Sequence, residues 1–326
     1  MGDCLLLTSP LRALKQEFGS FRIAVLVEPR FVPCFEGNPD IAEVLVAGPT
    51  KYRTVRGLLR QRFDAIVNLH GGGTSLVYAR AARGKRYGLE DYPGRFLYSG
   101  LIPRGPADGH TVEGVLDRFR WLGLRAEAPP SLYYGPQPAA RAWVAGKIGR
   151  RPYVVIHPGA LMETKRWSTE RFRTLGRLLN EKGWKVIVTA GPGEGDLACR
   201  AAGDLDDSLV LLGLTMPRLA ELIRGADLYI GNDSGPMHLA AAVGTPTVAV
   251  WGSSNSKRWH PWQVPHRVVQ NPFECNPCPG YRCLVADTPL CIESVSVDQV
   301  GEAVASLAAE TGRNASVPAA SGDVAR

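Results

Sequence analysis

The stretch from Leu228 to Gly252, LYIGNDSGPMHLAAAVGTPTVAVWG, decides the fold of this chain. Its two ends are apolar and β-branched, which predicts buried strands over Leu228–Ile230 and Thr247–Trp251. Between them, the run from His238 to Val243 predicts a helix. A strand, a tight loop, a helix, a turn and a second strand are typical of a parallel α/β layer, which binds ligands at the carboxyl ends of its strands.

The loop of this stretch follows a predicted strand and carries small and polar residues. Gly231 and Gly235 permit the backbone to approach a ligand closely. Between these two glycines stand three residues of the types that cap helices, Asn232, Asp233 and Ser234. Free amides and the helix dipole at a helix N-terminus favour an anion, so the loop predicts an anion site. The alternative is that Asp233 and Ser234 only cap the helix.

The same alternation extends through the second half of the chain and, more faintly, through the first. In the second half the further predicted strands are Tyr153–Ile156, Lys185–Thr189 and Leu209–Leu212, and the predicted helices are Phe172–Leu179, capped by Ser168, and Pro217–Arg224, capped by Thr215. In the first half the predicted strands are Arg22–Val27, Val44–Ala47 and Ala65–Leu69, and the predicted helices are Leu11–Phe18, Thr54–Arg62, Thr74–Arg83 and Val112–Leu122. The stretch Tyr134–Arg151, rich in Pro, Ala and Gly, reads as the joint between two α/β domains.

Two more motifs follow predicted strands and therefore belong to the same sheet edge. After His157–Ala160 come Lys165 and Arg166, a pair of cations that suits a diphosphate; the alternative is a solvated pair. The Gly-rich turn Thr189–Glu194 lets the backbone approach a ligand, and Glu194 could accept hydrogen bonds from a ribose. No G-x-G-x-x-G motif follows a strand in the first half, which counts against a dehydrogenase.

The composition is that of a folded protein with an excess of positive charge. The chain has 326 residues, 45% of them hydrophobic and 21% charged, which excludes a largely disordered chain. Lys and Arg number 38 against 31 Asp and Glu, a net charge of +7. Such an excess favours phosphates, nucleic acid or acidic lipid, or simply describes a moderately basic soluble protein. Neither a secretion signal nor an apolar run approaching ~20 residues is recognisable.

Four of the seven cysteines crowd into one short stretch, Cys275-x₂-Cys278-x₄-Cys283-x₇-Cys291. An odd count without a secretion signal favours a reducing compartment over a disulfide framework. Four thiolates at this spacing could bind zinc or an iron–sulfur cluster. The alternatives are a cysteine-rich loop without metal, or a disulfide formed in air. A metal here would be structural, because the cluster lies outside the phosphate motifs.

Four blocks, taken in order, resemble one family. They are Gly-Asp followed by Thr-Ser-Pro-Leu-Arg-Ala-Leu-Lys within Gly2–Lys15, His-Pro-Gly-Ala and Lys-Arg-Trp within His157–Trp167, Ala-Gly-Pro-Gly-Glu at Ala190–Glu194, and Gly-Asn-Asp-Ser-Gly-Pro-Met-His-Leu-Ala-Ala-Ala at Gly231–Ala242. Together they resemble glycosyltransferase family nine, the ADP-heptose:lipopolysaccharide heptosyltransferases, over about Gly2–Leu307. The last block is the most specific of the four.

The resemblance implies an α/β fold of the GT-B type, in which two Rossmann-like domains face each other across a cleft. Residues 1–148 would bind the acceptor. Residues 149–311 would bind the nucleotide sugar and would include a Cys-rich loop, 272–291, and a C-terminal helix, about Val297–Glu310, that crosses back. Residues 312–326 are expected to be a disordered tail. The family has an apolar strand before its Gly-Asp, whereas only Met1 precedes it here, so the first strand of the N-terminal domain is expected to be missing and the chain to start downstream of its true start.

The resemblance also assigns roles to single residues, and it implies neither a catalytic metal nor a cofactor. Asp3 matches a general base that deprotonates the acceptor hydroxyl for an inverting attack. Lys165 and the helix N-terminus at Asp233, Ser234 and Gly235 would stabilise the leaving diphosphate. The other donor-binding candidates are Glu194, Leu214 and Thr215 near the adenosine, and His238. The alternative for His238 is a half-buried helix residue.

The expected activity is heptose transfer from ADP-heptose to the lipopolysaccharide inner core, in the cytoplasm at the inner membrane. The basic run of Arg80, Arg83, Lys85 and Arg86 could contact acceptor phosphates or an anionic membrane surface, or be a solvated face. Aromatic residues are too sparse there for nucleic acid. The alternatives are an enzyme of the same fold with another nucleotide sugar, an epimerase, and a catalytically silent nucleotide-sugar-binding protein.

Overall fold

A computed structural model describes residues 1–105, 108–125, 129–149, 152–205, 208–278 and 280–313. The chain forms two compact units, an N-terminal unit of Leu6–Pro130 and a C-terminal unit of Met1–Leu5 with Ser131–Arg326. The sequence predicts a division after residue 148, but the units divide after residue 130. Of the predicted tail, 312–326, only the first two residues are described.

The stretch predicted as a joint contains a helix that packs within the C-terminal unit. This helix, Pro138–Ile148, lies against a second helix, Met216–Arg224. The Arg218 guanidinium lies 4.5 Å from the centre of the Trp143 ring. These contacts explain why residues 131–148 belong to the C-terminal unit.

The N-terminal unit alternates helices and strands. Its helices are α1 (Gly2–Glu17, which starts in the C-terminal unit), α2 (Lys51–Leu58), α3 (Gly73–Ala81) and α4 (Thr111–Trp121). Its strands are β1 (Ala24–Val27), β2 (Glu43–Val46), β3 (Arg62–Val67), β4 (Arg83–Leu89) and β5 (Gly100–Ile102). Among the described residues they form two parallel sheets, β1-β2 and β3-β4-β5. Three of the four residues of the basic run, Arg83, Lys85 and Arg86, lie in β4 rather than after a helix.

The C-terminal unit is a six-stranded parallel sheet with helices. The helices are α5 (Pro138–Ile148), α6 (Thr169–Glu181), α7 (Gly195–Ala202), α8 (Met216–Arg224), α9 (Gly235–Val243), α10 (Ser256–Trp259), α11 (Leu290–Glu293) and α12 (Val297–Thr311). The strands are β6 (Tyr153–His157), β7 (Lys185–Thr189), β8 (Leu209–Leu211), β9 (Leu228–Asn232), β10 (Thr247–Val250) and β11 (His266–Val269), in the order β11-β10-β9-β6-β7-β8. The predicted strands and helices of this half are therefore confirmed, with bounds that shift by a few residues.

The core of this unit lies where the central strands meet the helices. Every residue of β6, β9 and β10 is buried, as expected for parallel strands covered on both faces. The Trp167 ring meets Phe172 edge-on at 4.8 Å, and its indole N–H donates to the Val295 carbonyl at 2.9 Å. Ser168 caps α6, as predicted, by accepting a hydrogen bond from the Arg171 N–H at 3.3 Å.

The strand order fixes where a ligand can bind. The chain runs from β6 outward through β7 and β8, then returns to the other side of β6 to form β9. His157, the last residue of β6, is paired with Gly231 of β9. At such a reversal the loops leave on opposite faces and open a crevice at the carboxyl ends of the strands.

Across the described residues, no helix combines the length and the apolar character that a membrane crossing requires.

Candidate functional site

An ion pair joins the two loops that leave the sheet at this reversal. Lys165, in a short 3₁₀ turn (Glu163–Lys165) after β6, places its Nζ 2.6 Å from Oδ2 of Asp233, which follows β9. The Asp233 side chain is 6% exposed and that of Lys165 is 20% exposed. The Ser254 hydroxyl donates a short hydrogen bond to the same carboxylate oxygen. The ammonium is therefore fixed at one position, with part of its surface open to a ligand.

Asn232 fastens the backbone around this pair. Its side chain is fully buried, accepts a hydrogen bond from the Trp167 N–H at 3.1 Å and donates one to the Pro158 carbonyl at 2.8 Å. One amide group thus holds both ends of the loop that carries Lys165. Leaving the buried Asn232 amide without these partners would cost free energy of folding. Its two hydrogen bonds therefore favour this one conformation of the loop.

The three polar residues before α9 do not cap it with their side chains, so that alternative is wrong for this loop. Ser234 occupies the N-cap position, but its side chain makes no cap hydrogen bond. Asn232 bridges two loops, and Asp233 holds Lys165 and Ser254. Pro236 has no N–H and the Met237 N–H donates to the Ser234 carbonyl at 3.1 Å, so the Gly235 N–H is the donor at the start of α9 that these side chains leave open. That is the chemistry of an anion site at a helix N-terminus.

Gly231 is required by the close approach of β6 to β9. A Cβ at this position would lie 2.9 Å from the His157 carbonyl oxygen and 2.7 Å from the Tyr229 hydroxyl. Burial raises the pKa of Tyr229, so its phenol stays neutral at physiological pH. A larger residue at 231 would push apart the two strands that carry the site.

Glu194 lies against the loop that follows β6. A Cβ on Gly159 would lie 2.1 Å from Glu194 Oε2, so only glycine leaves room for this carboxylate. The same oxygen accepts a hydrogen bond from the Gly191 N–H at 3.2 Å and lies 3.8 Å from His157 Nε2. Burial lowers the pKa of His157 to about 4, so that imidazole is neutral beside the carboxylate at pH 7. The predicted motifs after β6 and β7 therefore meet.

His238 connects the GNDSGPMH loop with the beginning of the chain. Its ring is buried in α9, and a Cβ on Gly2 would lie 2.7 Å from its Cδ2. Burial lowers the pKa of His238 to about 4, although the charges of Asp233 and Asp3 act in the opposite direction. Asp3 itself is exposed in the first turn of α1. The structure thus brings Asp3 into electrostatic range of the loop that carries Asp233.

Leu214 and Thr215 lie at the carboxyl edge of the same sheet, after β8. Thr215 is the N-cap residue of α8, as the sequence predicts. Its exposed side chain makes no cap hydrogen bond, however, so the predicted capping interaction is absent at this residue. A Cβ added to Gly195, the first residue of α7, would lie 3.4 Å from Cδ1 of Leu212, which belongs to the same loop as Leu214. The loops after β7 and β8 are therefore neighbours.

Sequence reasoning gave one residue of this site the wrong role and missed another. It took Asn232 for a capping residue, and it did not consider Ser254, which follows β10 by the same strand-end rule that found the others. The position of Ser254 after an apolar strand was a sufficient signal. Together, one fixed ammonium, the Gly235 N–H at the start of α9 and a nearby carboxylate can hold a diphosphate and a sugar hydroxyl.

Comparison with known proteins agrees with this chemistry. Residues 51–288 match the family model described as glycosyltransferase family 9 (heptosyltransferase). Lipopolysaccharide heptosyltransferase 3 of Escherichia coli is 29% identical over 287 residues, which are 80% of this chain and 83% of that protein.

Solved structures share the fold over almost the whole chain. A glycosyl transferase family 9 protein from Veillonella parvula superposes with a TM-score of 0.83 at 21% identity, covering 95% of each chain. E. coli ADP-heptose lps heptosyltransferase II gives a TM-score of 0.81 at 18% identity, covering 95% of this chain and 96% of the other. These similarities establish a GT-B fold built of two Rossmann-like units. Because the family model matches most of its length, the chain belongs to glycosyltransferase family 9, the heptosyltransferases.

Proposed function

We propose that this glycosyltransferase moves heptose from ADP-heptose to the inner core of lipopolysaccharide with inversion at the anomeric carbon. The observation that carries the proposal is the Lys165 ammonium, held 2.6 Å from Asp233 beside the N-terminus of α9. The names of its relatives, lipopolysaccharide heptosyltransferase 3 and ADP-heptose lps heptosyltransferase II, indicate the donor and the acceptor.

The leaving group is stabilised by the groups at the strand reversal. As the bond from the anomeric carbon to the phosphate oxygen breaks, negative charge develops on ADP. Lys165 and the N-terminus of α9, at Ser234 and the Gly235 N–H, stabilise that charge. Asp233 offsets part of the lysine charge but fixes the ammonium, so little reorganisation is needed when the charge appears. His238 packs behind this loop as a neutral ring.

The remaining donor contacts lie on the other side of β6. Glu194, held by the Gly191 N–H, accepts the ribose hydroxyls. Leu214 and Thr215, after the neighbouring strand, contact the adenine. A purine face buried against an apolar side chain and a ribose bound to a carboxylate are common nucleotide contacts.

Asp3 acts as the general base. Its carboxylate accepts the proton of the acceptor hydroxyl, whose oxygen forms the new bond to the anomeric carbon as ADP departs. Such a base contributes roughly 10²- to 10⁴-fold to a rate. Its position in the first turn of α1, within electrostatic range of His238, supports this role.

The acceptor and the site of action follow from the same activity. A lipid-linked core acceptor places the enzyme in the cytoplasm, at the cytoplasmic face of the inner membrane. The exposed Arg80, Arg83 and Lys85 of the N-terminal unit supply positive charge for acceptor phosphates or for an anionic surface.

A donor screen tests the proposal. ADP-heptose, ADP-glucose, UDP-glucose and free ADP are titrated calorimetrically, and transfer of heptose to a heptose-bearing core acceptor is followed by mass spectrometry. We expect binding of the ADP compounds, and transfer from ADP-heptose alone. Transfer from a UDP-sugar, or no transfer with any donor, would contradict the assignment.

A further inference from the structure

The four clustered cysteines line a single cavity. Cys275, Cys278, Cys283 and Cys291 all face one pocket of about 170 Å³ in the C-terminal unit. They come from a stretch between β11 and α11 in which the described residues form neither helix nor strand. None of the seven cysteines is in a disulfide. Sequence spacing alone does not bring four thiols to one cavity, so the folded loop adds an independent observation.

The loop around the cavity lacks an apolar core of its own. Leu284 and Val285 are 72% and 70% exposed, and Tyr281 is 64% exposed. Leu284 and Val285 also line the cavity but stay largely exposed. Of the cysteines, Cys291 is buried, Cys278 and Cys283 are half-buried and Cys275 is exposed. A short segment of this kind is stabilised by a cross-link or a metal rather than by hydrophobic burial.

The sulfur environment favours a cation. The Gly280 N–H donates to Cys278 Sγ at 3.4 Å, a contact that orients and stabilises a thiolate ligand. The thiolate is the form in which cysteine binds a metal.

We propose that Cys275, Cys278, Cys283 and Cys291 form a structural site for one tetrahedral divalent metal of the zinc class, which braces the loop that carries Lys165. Four sulfur ligands suit zinc, leave no open position for catalysis, and release thiol protons on binding. Within the described part of the chain, no three such side chains are already set around a metal position, and the proposal therefore requires the four thiols to draw closer together when the metal binds.

Hydrogen bonds connect the cysteine loop to the donor site. The Cys278 N–H donates to the Ser253 carbonyl at 2.7 Å, and the Thr164 hydroxyl donates to the Gly280 carbonyl at 2.9 Å. The Ser253 hydroxyl in turn donates to Thr164 Oγ1 at 2.8 Å. Thr164 directly precedes Lys165, so the metal would hold the backbone next to the ammonium.

The test measures metal directly on the full-length protein, purified anaerobically with reductant. Metal content is determined by mass spectrometry, and Co²⁺ is exchanged in to record its spectrum. We expect one metal ion per chain and the intense visible bands of tetrahedral cobalt–thiolate. Cys278→Ser and Cys283→Ser should lose both signals, whereas Cys199→Ser, which removes an exposed thiol on α7, should keep them.

A second measurement uses the wild-type protein, so that the test does not depend on whether the cysteine variants fold. The wild-type metal is removed with a thiol-compatible chelator and Zn²⁺ is added back. ADP affinity, which rests on the proposed function, should fall roughly three- to tenfold and then recover. A wild-type protein that takes up neither Zn²⁺ nor Co²⁺, or that keeps the cobalt spectrum in Cys278→Ser/Cys283→Ser, would overturn the site. Unchanged ADP affinity without metal would overturn the bracing, whereas a metal-loaded protein that never binds ADP would refute only the proposed function.

Discussion

Replacing Lys165 by alanine tests two contributions of its ammonium group separately, one to the stability of the fold and one to the binding of ADP. In the wild type, its Nζ lies 2.6 Å from the carboxylate of Asp233, which is 6% exposed. Removing one partner of a buried ion pair costs about 3–5 kcal/mol, because the other charge is left without compensation. Here Ser254 still donates to Asp233 and the lysine is 20% exposed, so we expect Lys165→Ala to lower the free energy of unfolding by about 2–3 kcal/mol.

The binding of ADP should change by a separate amount. A hydrogen bond to a charged group contributes about 1.5–3 kcal/mol, so losing the bond from Lys165 to the diphosphate should raise the Kd of ADP roughly 10- to 100-fold. The measurements are urea unfolding at pH 7.5 and calorimetric titration of ADP at fixed salt.

The double variant Lys165→Ala/Asp233→Asn is the matched control. It removes the unpaired carboxylate, so most of the lost stability should return, while ADP affinity should stay low because the ammonium is still absent. If Lys165→Ala unfolds like the wild type and binds ADP equally well, the ion pair is a surface feature and the reasoning fails. If ADP affinity returns together with stability, Lys165 only supports the fold.

Three further expectations concern the same site. Asp3→Asn should reduce transfer roughly 10²- to 10⁴-fold and leave ADP affinity unchanged; weakened ADP binding by calorimetry would reject the role of a base. His157 and His238 have pKa values near 4 in the fold against about 6.5 when unfolded, so the stability that each contributes is complete above about pH 6.5 and is lost as the pH falls towards 4. Between pH 7.5 and pH 5 each should cost about 2 kcal/mol, and urea unfolding that is equally stable at both pH values would contradict this. Gly159→Ala should displace the Glu194 carboxylate and weaken donor binding, and should lower the free energy of unfolding by about 1 kcal/mol or less, because the clashing atoms end a flexible side chain; a variant that binds the donor like the wild type would show that this packing does not matter.

The sheet of the C-terminal unit was predictable because its strands are buried on both faces. A strand such as β6 or β10 is a nearly continuous run of apolar residues, many of them β-branched. Such a run can be recognised as a buried strand from the local sequence alone. The site edge followed from the rule that polar residues after parallel strands converge, which found Lys165, Glu194 and Asp233 without their distances.

The sequence was less informative where local preference and tertiary packing disagree. The strand β4 (Arg83–Leu89) reads RGKRYGL, a charged and half-exposed pattern that was interpreted as a basic face. The helix α5 (Pro138–Ile148) is built of residues that resemble a linker, and its contact with α8 decides its place. The bridging role of Asn232 depends on two partners far away in sequence, which no local pattern encodes.

The position of the diphosphate in a crystal structure of the protein with bound ADP tests the central claim most directly. We expect both phosphates in the crevice at the β6–β9 reversal, with phosphate oxygens within hydrogen-bond distance of Lys165 Nζ and of the Gly235 N–H at the start of α9. Clear density for ADP at another strand end, or phosphates turned away from Lys165, would contradict the account.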